Sequence, residues 1–228
     1  MEKFIILSHP RTGSTFLRNV LNQFDGVECD PELFNPYILK SNPEISKFPV
    51  EYLKKLYVSG GTGKGFKLQY NQALKDNLTQ IWPYLIGEED IKIIRLIRIN
   101  KLKLLISLRK AQQVSEWNKF SELNRKKNKI TLDITYQKCL YEFKRFTRVE
   151  NEYHEKFKKH PMLTITYEDL IQDYYKTIDS VKSFLNIDAP TPKSEVKVKK
   201  LKLSDELTNY QQLKDKFKGS KWESFFEY

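Results

Sequence analysis

The sequence predicts an α/β protein in which a parallel sheet is flanked by helices and followed by a basic C-terminal arm. Short apolar runs with β-branched character alternate along the chain with segments of helical periodicity. That alternation is typical of strands joined by helical crossovers. The run at 91–98 also has the density of Ile and Leu expected of a parallel strand that is buried on both faces.

The N-terminal elements are predicted from a strand, a turn and a helix in succession. Residues 3–8 are apolar and β-branched, which indicates a strand. Pro10 and Gly13 favour a tight turn. Residues 15–24 then place five apolar side chains on one helical face.

The rest of the chain continues the alternation. Residues 25–59 are predicted as a looser segment that is rich in Pro and Tyr. Further strands are predicted at 65–69, 91–98 and 162–167. Helices are predicted at 71–86, 101–113, 131–159 and 174–186, and the arm begins near Ala189 and ends in a helix at 205–217.

Composition limits the class of protein further. The chain has 228 residues, of which 39% are hydrophobic and 13% aromatic, so it can bury a core. With no repeat or linker, we expect a single domain over residues 1–228. No apolar run approaches the roughly 18 residues of a membrane span, and the N-terminus does not resemble a signal peptide, so we expect a cytoplasmic protein. Cys29 and Cys139 lack zinc-site spacing, so no metal is expected.

The formal charge of +11 comes mainly from two segments. Residues 91–110 hold seven basic residues and no acidic residue, and residues 191–221 hold nine lysines against four acidic residues. Such concentration predicts an anionic ligand. For any single lysine, a solvated helix face is the simpler interpretation. Nucleic acid is the other obvious anion, but no zinc-finger spacing, aromatic RNA-binding motif or arginine-rich tail supports it.

The loop between the first strand and helix is the strongest candidate for chemistry. A loop that leaves a strand and opens a helix presents backbone N–H groups to an anion. Gly13 allows close approach of an oxyanion, Thr12, Ser14 and Thr15 supply hydroxyl groups, and Arg11 supplies a planar cation. The alternative is a helix capped by Ser14 or Thr15 that binds nothing.

This loop is not the Walker A motif of nucleotide triphosphatases. Residues 8–16 lack the Gly and Lys of that motif at the required spacing. The Gly-rich stretch 60–65 contains a Gly-Lys pair, but Val58 stands where the motif requires its first Gly, and Gly65 stands where it requires Ser or Thr. A second candidate anion site comes from Arg98, at the end of a predicted strand, and Ser107 on the following helix. Taken alone, a strand-end Arg more often pairs with a carboxylate.

Together these segments resemble the sulfotransferase family. Residues 10–15, Pro-Arg-Thr-Gly-Ser-Thr, look like the 5′-phosphosulfate loop of its bacterial branch, and 98–107 resembles its 3′-phosphate motif. Three further matches follow in order, at Pro31–Pro36, at Gly65–Leu68, and at Asn209–Tyr210 with Gly219–Glu223. The first loop alone is moderately specific, whereas the ordered set is strong and covers nearly the whole chain.

The resemblance implies a P-loop-like sheet that binds 3′-phosphoadenosine 5′-phosphosulfate (PAPS) and transfers its sulfuryl group, without a metal, to the hydroxyl or amine of a small-molecule, glycan or lipid acceptor. The implied PAPS-binding residues are Arg11, Thr12, Gly13, Ser14, Thr15, Arg98, Ser107, Lys199 and Lys200. The implied catalytic residues are Arg11 at the leaving phosphate and Glu32 as general base.

Some features leave alternatives open. Glu32 could instead be a loop carboxylate paired with Arg11 or a lysine, and Glu28 and Asp30 are weaker candidates for the base. The catalytic His of the cytosolic branch has no counterpart; His154 and His160 are expected at the surface. The competing functions are nucleic-acid binding, a kinase-like phosphotransferase, and a catalytically inactive nucleotide-binding homologue.

Overall fold

The structure is a computed structural model that describes residues 1–58, 60–114, 131–194 and 202–227. Its centre is a five-stranded sheet in the order β2-β3-β1-β4-β5, and every neighbouring pair of strands is parallel. The strands are β1 (Glu2–Ser8), β2 (Val27–Glu32), β3 (Gly63–Gln69), β4 (Lys92–Ile97) and β5 (Met162–Thr166). The predicted parallel α/β sheet with flanking helices is confirmed.

Helices connect the strands and continue beyond them. They are α1 (Ser14–Leu21), α2 (Pro36–Ser41), α3 (Pro43–Lys47), α4 (Pro49–Leu56), α5 (Ile81–Gly87), α6 (Lys101–Val114), α7 (Tyr136–Lys156), α8 (Tyr167–Gln172), α9 (Tyr174–Phe184) and α10 (Tyr210–Phe217). Short 3-10 turns occupy Asp76–Gln80, Leu203–Asp205 and Glu223–Phe226. Over the described ranges, no helix is both long and apolar enough to cross a membrane.

The chain divides into two compact units, residues 1–97 with 149–196 and residues 98–148 with 197–228. The first unit contains the whole sheet. Because side chains alternate along a strand, β1 contributes Ile5 and Leu7 to one apolar cluster and Phe4 and Ile6 to another. The first cluster includes residues of α4 and α5, and the second includes residues of α1 and α9.

The second unit has its own apolar cluster, formed by α6, α7, α10 and the C-terminal 3-10 turn. Leu105, Phe143, Phe217 and Phe226 are almost completely buried there. The predicted C-terminal arm is not confirmed, because residues 202–227 contribute to that cluster. Residues 195–201 lie outside the described part of the chain.

Three sequence-based expectations were wrong, two about elements and one about a residue. The helix predicted at 71–86 begins only at Ile81, after the 3-10 turn Asp76–Gln80. The segment 25–59 is not loose, since it contains β2 and the short helices α2, α3 and α4. The sequence of β2 carries three carboxylates and a proline and therefore lacks the apolar pattern of a strand. His160 is buried and not at the surface, because its ring nitrogens contact the carbonyl oxygens of Ile91 and Ile86 at 2.9 and 3.1 Å.

Candidate active site

The loop between β1 and α1 holds two residues in the left-handed backbone region. Arg11 has φ +68° and Gly13 has φ +89°. Gly13 is required for two reasons: its φ disfavours a side chain, and a Cβ atom there would lie 3.0 Å from the ring of Tyr167. A positive φ is a strained backbone conformation for arginine, and such strain is often found at functional sites. The two residues turn the chain sharply into α1.

The first turn of α1 is open to an anion. Its N-terminal cap is Gly13, which has no side chain with which to form a capping hydrogen bond. The expected alternative, a cap by Ser14 or Thr15, is therefore wrong. Thr15 and the side chain of Arg11 are exposed, whereas Ser14 is buried. Thr12 is fully buried and donates its hydroxyl to the carbonyl oxygen of His9 at 2.8 Å, so its side chain shapes the loop from inside.

A buried lysine joins this loop to Glu32. The Lys67 ammonium, on β3, donates to Thr15 Oγ1 at 2.8 Å and to Glu32 Oε1 at 2.9 Å. The side chain of Lys67 is only 7% exposed and that of Glu32 17%. The ammonium thus lies beside the N-terminal turn of α1, where both the helix dipole and this cation favour an anion. The structure confirms that Glu32 is paired with a lysine.

An irregularity in β2 directs Glu32 towards this lysine. Glu32 and Lys67 are cross-strand partners, and the register of β2 against β3 shifts between Asp30 and Glu32. Pro31 lies at that shift, where its missing N–H group removes a ladder hydrogen bond. Asp30 lies before the shift and contacts a different lysine, at 3.3 Å from the Lys64 ammonium.

The other weak candidate for the base is also engaged. Glu28 accepts from the same Lys64 ammonium at 2.5 Å, and this hydrogen bond lowers the pKa of Glu28. The second oxygen of Glu32 is held by amides instead. Gln72 Nε2 donates to Glu32 Oε2 at 3.1 Å and Asn35 Nδ2 donates to it at 3.4 Å. Among the three candidate carboxylates, Glu32 alone contacts the lysine that also binds the loop.

A group of buried polar and aromatic side chains lies next to the loop residue His9. His9 Nε2 is 3.9 Å from Glu150 Oε1, and its ring packs edge-on against Tyr70. Burial raises the pKa of Tyr70.

The two cysteines are not suited to nucleophilic catalysis. Burial raises the pKa of Cys29 and of Cys139 to about 12. Both thiols therefore stay protonated at neutral pH, which makes either of them a poor nucleophile.

The second candidate anion site belongs to the second unit. Arg98 is buried and Ser107, on α6, is half-buried. Asn100 Oδ1 accepts from the N–H group of Lys103 at 2.9 Å and thereby caps α6. The ammonium of Lys101 is also buried and donates to the carbonyl oxygen of Arg98 at 2.7 Å. These contacts order the backbone from which Arg98 extends.

The candidate site contains three residues that the sequence analysis did not name as candidates, Lys67, Gln72 and Asn35. Lys199 and Lys200 lie outside the described residues. Lys67 was not named as a candidate, although a lysine inside an apolar strand is a signal in the sequence, since lysines are rarely buried without a partner. Gln72 carried no such signal, because its partner Glu32 is 40 residues away in the sequence. Asn35 is only three residues from Glu32, but nothing in its residue type distinguished it from an ordinary loop amide.

This chain belongs to the sulfotransferase family: the model of the sulfotransferase domain matches residues 1–227. Among known proteins, it is similar to Nodulation protein H of Rhizobium tropici, with 27% identity over 99% of this chain and 93% of the relative. Nodulation protein H of Rhizobium meliloti (strain 1021) is 25% identical over 99% of this chain and 95% of the relative.

The fold has a counterpart among solved structures. The crystal structure of a sulfotransferase from Alicyclobacillus acidocaldarius superposes with a TM-score of 0.51, covering 95% of this chain and 91% of that one. Sequence identity between the two is 13%, so this likeness shows the shared fold alone.

Proposed function

We propose that this protein transfers the sulfuryl group of PAPS to an acceptor hydroxyl or amine, and that the acceptor is a carbohydrate or a lipid. One observation carries the proposal: the Lys67 ammonium contacts both Thr15 of the anion-binding loop and Glu32. A loop suited to the donor and a carboxylate suited to the acceptor are thereby held within one hydrogen-bond network. Family membership supports the reaction class.

The loop fits the part of PAPS that leaves. PAPS supplies an activated sulfuryl group, and negative charge builds on the 5′-phosphate oxygen as the S–O bond breaks. The exposed Arg11 side chain and the N–H groups of Thr12 to Thr15 would stabilise that charge, because donors fixed before the reaction need no reorganisation. Lys67 adds a buried cation at the start of α1.

Glu32 fits the role of general base. It would accept the proton of the acceptor group as the acceptor atom bonds to sulfur, so that the proton moves to Glu32 and the electron pair of the broken bond moves to the 5′-phosphate. A base requires a carboxylate that remains reachable, and the 17% exposure of the Glu32 side chain provides this.

Arg98 and Ser107 would hold the 3′-phosphate, and Lys199 and Lys200 would close over the nucleotide. For Arg98 and Ser107 the support is the motif at 98–107, and for the two lysines it is the positive charge of their segment. The described structure adds that Arg98 extends from an ordered backbone. A single sulfotransferase domain, a cytoplasmic location and independence from metals remain part of the same proposal.

The first experiment is a thermal-shift titration with adenosine 3′,5′-bisphosphate, ADP and AMP. A ligand at about 100 times its Kd stabilises the folded state by roughly 2.7 kcal/mol, which is readily measured. We expect the largest shift with the 3′-phosphorylated nucleotide and its loss in Arg98→Ala. Equal shifts with all three ligands would indicate a generic phosphate loop. No shift, together with salt-sensitive binding to an oligonucleotide, would refute the proposal in favour of nucleic-acid binding.

Transfer is then measured with radiolabelled PAPS against a panel of oligosaccharides, glycolipids and simple amines. We expect label on one acceptor class with wild-type protein and a loss of about 100-fold or more in Glu32→Gln. If wild-type protein binds the nucleotide tightly but labels nothing, and Glu32→Gln behaves identically, the protein is a nucleotide-binding homologue without transferase activity.

A further inference from the structure

The amide of Gln72 is held in one orientation by its surroundings. Gln72 is buried, and its Oε1 accepts from the backbone N–H group of Gln69 at 3.1 Å. Since an N–H group can pair only with the oxygen of the amide, the nitrogen end must face the other way. That end, Nε2, points to Glu32 Oε2 at 3.1 Å.

The backbone of Gln72 is anchored as firmly as its side chain. Its N–H group donates to the carbonyl oxygen of Gln69 at 3.0 Å. The indole Nε1 of the buried Trp82 donates to the carbonyl oxygens of Gln72 and Ala73 at 3.3 and 3.1 Å. The turn that follows β3 therefore presents a fixed donor rather than a mobile one.

The carboxylate of Glu32 is consequently held from two sides. Oε1 accepts from Lys67 and Oε2 accepts from Gln72, with a longer contact from Asn35 at 3.4 Å. Asn35 is the weaker support, because its donor contact of 3.4 Å is 0.3 Å longer than the 3.1 Å of Gln72. Rotation of the carboxylate about its terminal bond would break the contacts at both oxygens together.

We propose that Gln72 is a positioning residue, which fixes the carboxylate of Glu32 in the orientation that accepts the proton of the acceptor. This inference rests on the proposed function. An amide suits the task because its nitrogen donates a hydrogen bond and does not take up a proton itself. A base that is misplaced by about 1 Å can lose on the order of 100-fold in rate, so the orientation is worth fixing.

The contact itself is tested without any activity. The side-chain amide signals of Gln72 are identified in 1H–15N spectra of the full chain by their absence in Gln72→Met. We expect Glu32→Gln to move these signals, because the acceptor changes from a carboxylate to a neutral amide. If the signals stay in place, Gln72 does not contact Glu32 in solution and the inference is overturned, whatever the protein catalyses.

The kinetic test uses Gln72→Met, which preserves the length of the side chain, and Gln72→Glu, which keeps an acceptor for Gln69 but turns the donor towards Glu32 into a carboxylate. We expect both to lower kcat about 10- to 100-fold. The KM for PAPS and the Kd for adenosine 3′,5′-bisphosphate should change by no more than about twofold, since no loop contact is lost. Rates are normalised to nucleotide-binding sites, which removes the effect of any unfolded fraction.

Asn186→Gly is the matched control. Asn186 is also an amide that donates to a carboxylate, Glu2 Oε1 at 2.7 Å, and its φ of +53° suits glycine. We expect wild-type kcat in this variant. A wild-type kcat in Gln72→Met would overturn the inference while leaving the proposed function standing. Wild-type protein that neither binds nucleotide nor transfers sulfate would refute the proposed function instead.

Discussion

At the scale of single residues, Gly13 shows how the loop depends on the absence of a side chain. In Gly13→Ala the new Cβ would meet the Tyr167 ring at 3.0 Å while the backbone kept φ near +89°. We expect a loss of about 1–2 kcal/mol in the free energy of unfolding, from the left-handed backbone alone, and loss of binding to adenosine 3′,5′-bisphosphate. Urea denaturation and nucleotide titration measure the two effects.

Gly87→Ala is the control for that prediction. A Cβ atom at Gly87, which ends α5, would lie in open space among the described residues and at an ordinary φ. We expect nucleotide binding to be unchanged there. Equal binding by Gly13→Ala and wild-type protein would show that the loop tolerates a side chain and would remove it from the nucleotide site.

The pairing of Lys67 with Glu32 makes a second prediction at this scale. A double-mutant cycle with Lys67→Met and Glu32→Gln, measured by urea denaturation, should give a coupling free energy within about 0.5–3 kcal/mol, because both side chains are largely buried. The exposed pair of Lys3 and Asp90 is the reference, for which we expect a coupling of at most about 1 kcal/mol. A smaller coupling for the buried pair than for the surface pair would contradict the geometry.

At the scale of elements, the strands that the sequence predicts correctly are those with apolar runs. β1, β4 and β5 begin and end within one residue or so of the expected limits. For β1 and β4 the reason is burial on both faces, which leaves a clear apolar pattern, whereas the edge strand β5 is only partly buried and is recognised from its short run of Met, Leu and Ile. β2 was missed because its carboxylates form ion pairs with lysines of β3, Glu28 with Lys64 and Glu32 with Lys67. A local sequence pattern does not reveal such ion pairs between distant strands. The candidate base lies at the end of that missed strand.

The start of α6 makes a prediction about one element. Asn100 caps the helix through Oδ1 and donates through Nδ2 to the carbonyl oxygen of Phe225 at 3.0 Å. Asn100→Ala loses both bonds and should reduce the free energy of unfolding by about 1–2 kcal/mol. Asn100→Asp keeps the cap and loses only the donor, so we expect a smaller reduction. Equal losses in urea denaturation would assign the effect to the contact with Phe225 rather than to the cap.

At the scale of the whole molecule, the sequence predicts the reaction class better than the arrangement of the site. The candidate anion-binding loop is a contiguous segment, so the residue types that predict its chemistry can be read directly at residues 10–15. The network around Glu32 joins four segments of the chain, and only folding brings them together. Net charge is likewise a property of the whole sequence, and the +11 predicts an anionic ligand without locating it.

Stability towards acid is the last prediction, and Glu142 is its clearest contributor. Burial raises the pKa of Glu142, but hydrogen bonds from Lys138 and Arg145 outweigh it, so the pKa lies below the ordinary value of 4.5. A carboxyl group with a lowered pKa in the folded state adds stability above its unfolded pKa, and this is lost as the pH falls through the folded value. Glu142→Gln should therefore be less stable than wild type at pH 7, by about 1 kcal/mol or more.

The difference between Glu142→Gln and wild type should shrink as the pH falls below 4.5, because protonation removes from wild type the same charge that the substitution removes. Urea denaturation at a series of pH values from 7 to 3 follows the difference. Glu155→Gln is the control, since the pair of Glu155 with Lys158 is exposed and 3.6 Å apart, and its difference should stay near zero throughout. A constant difference for Glu142→Gln across the series would mean that the substitution perturbs packing, and that the ionic contacts of this carboxylate contribute little to the fold.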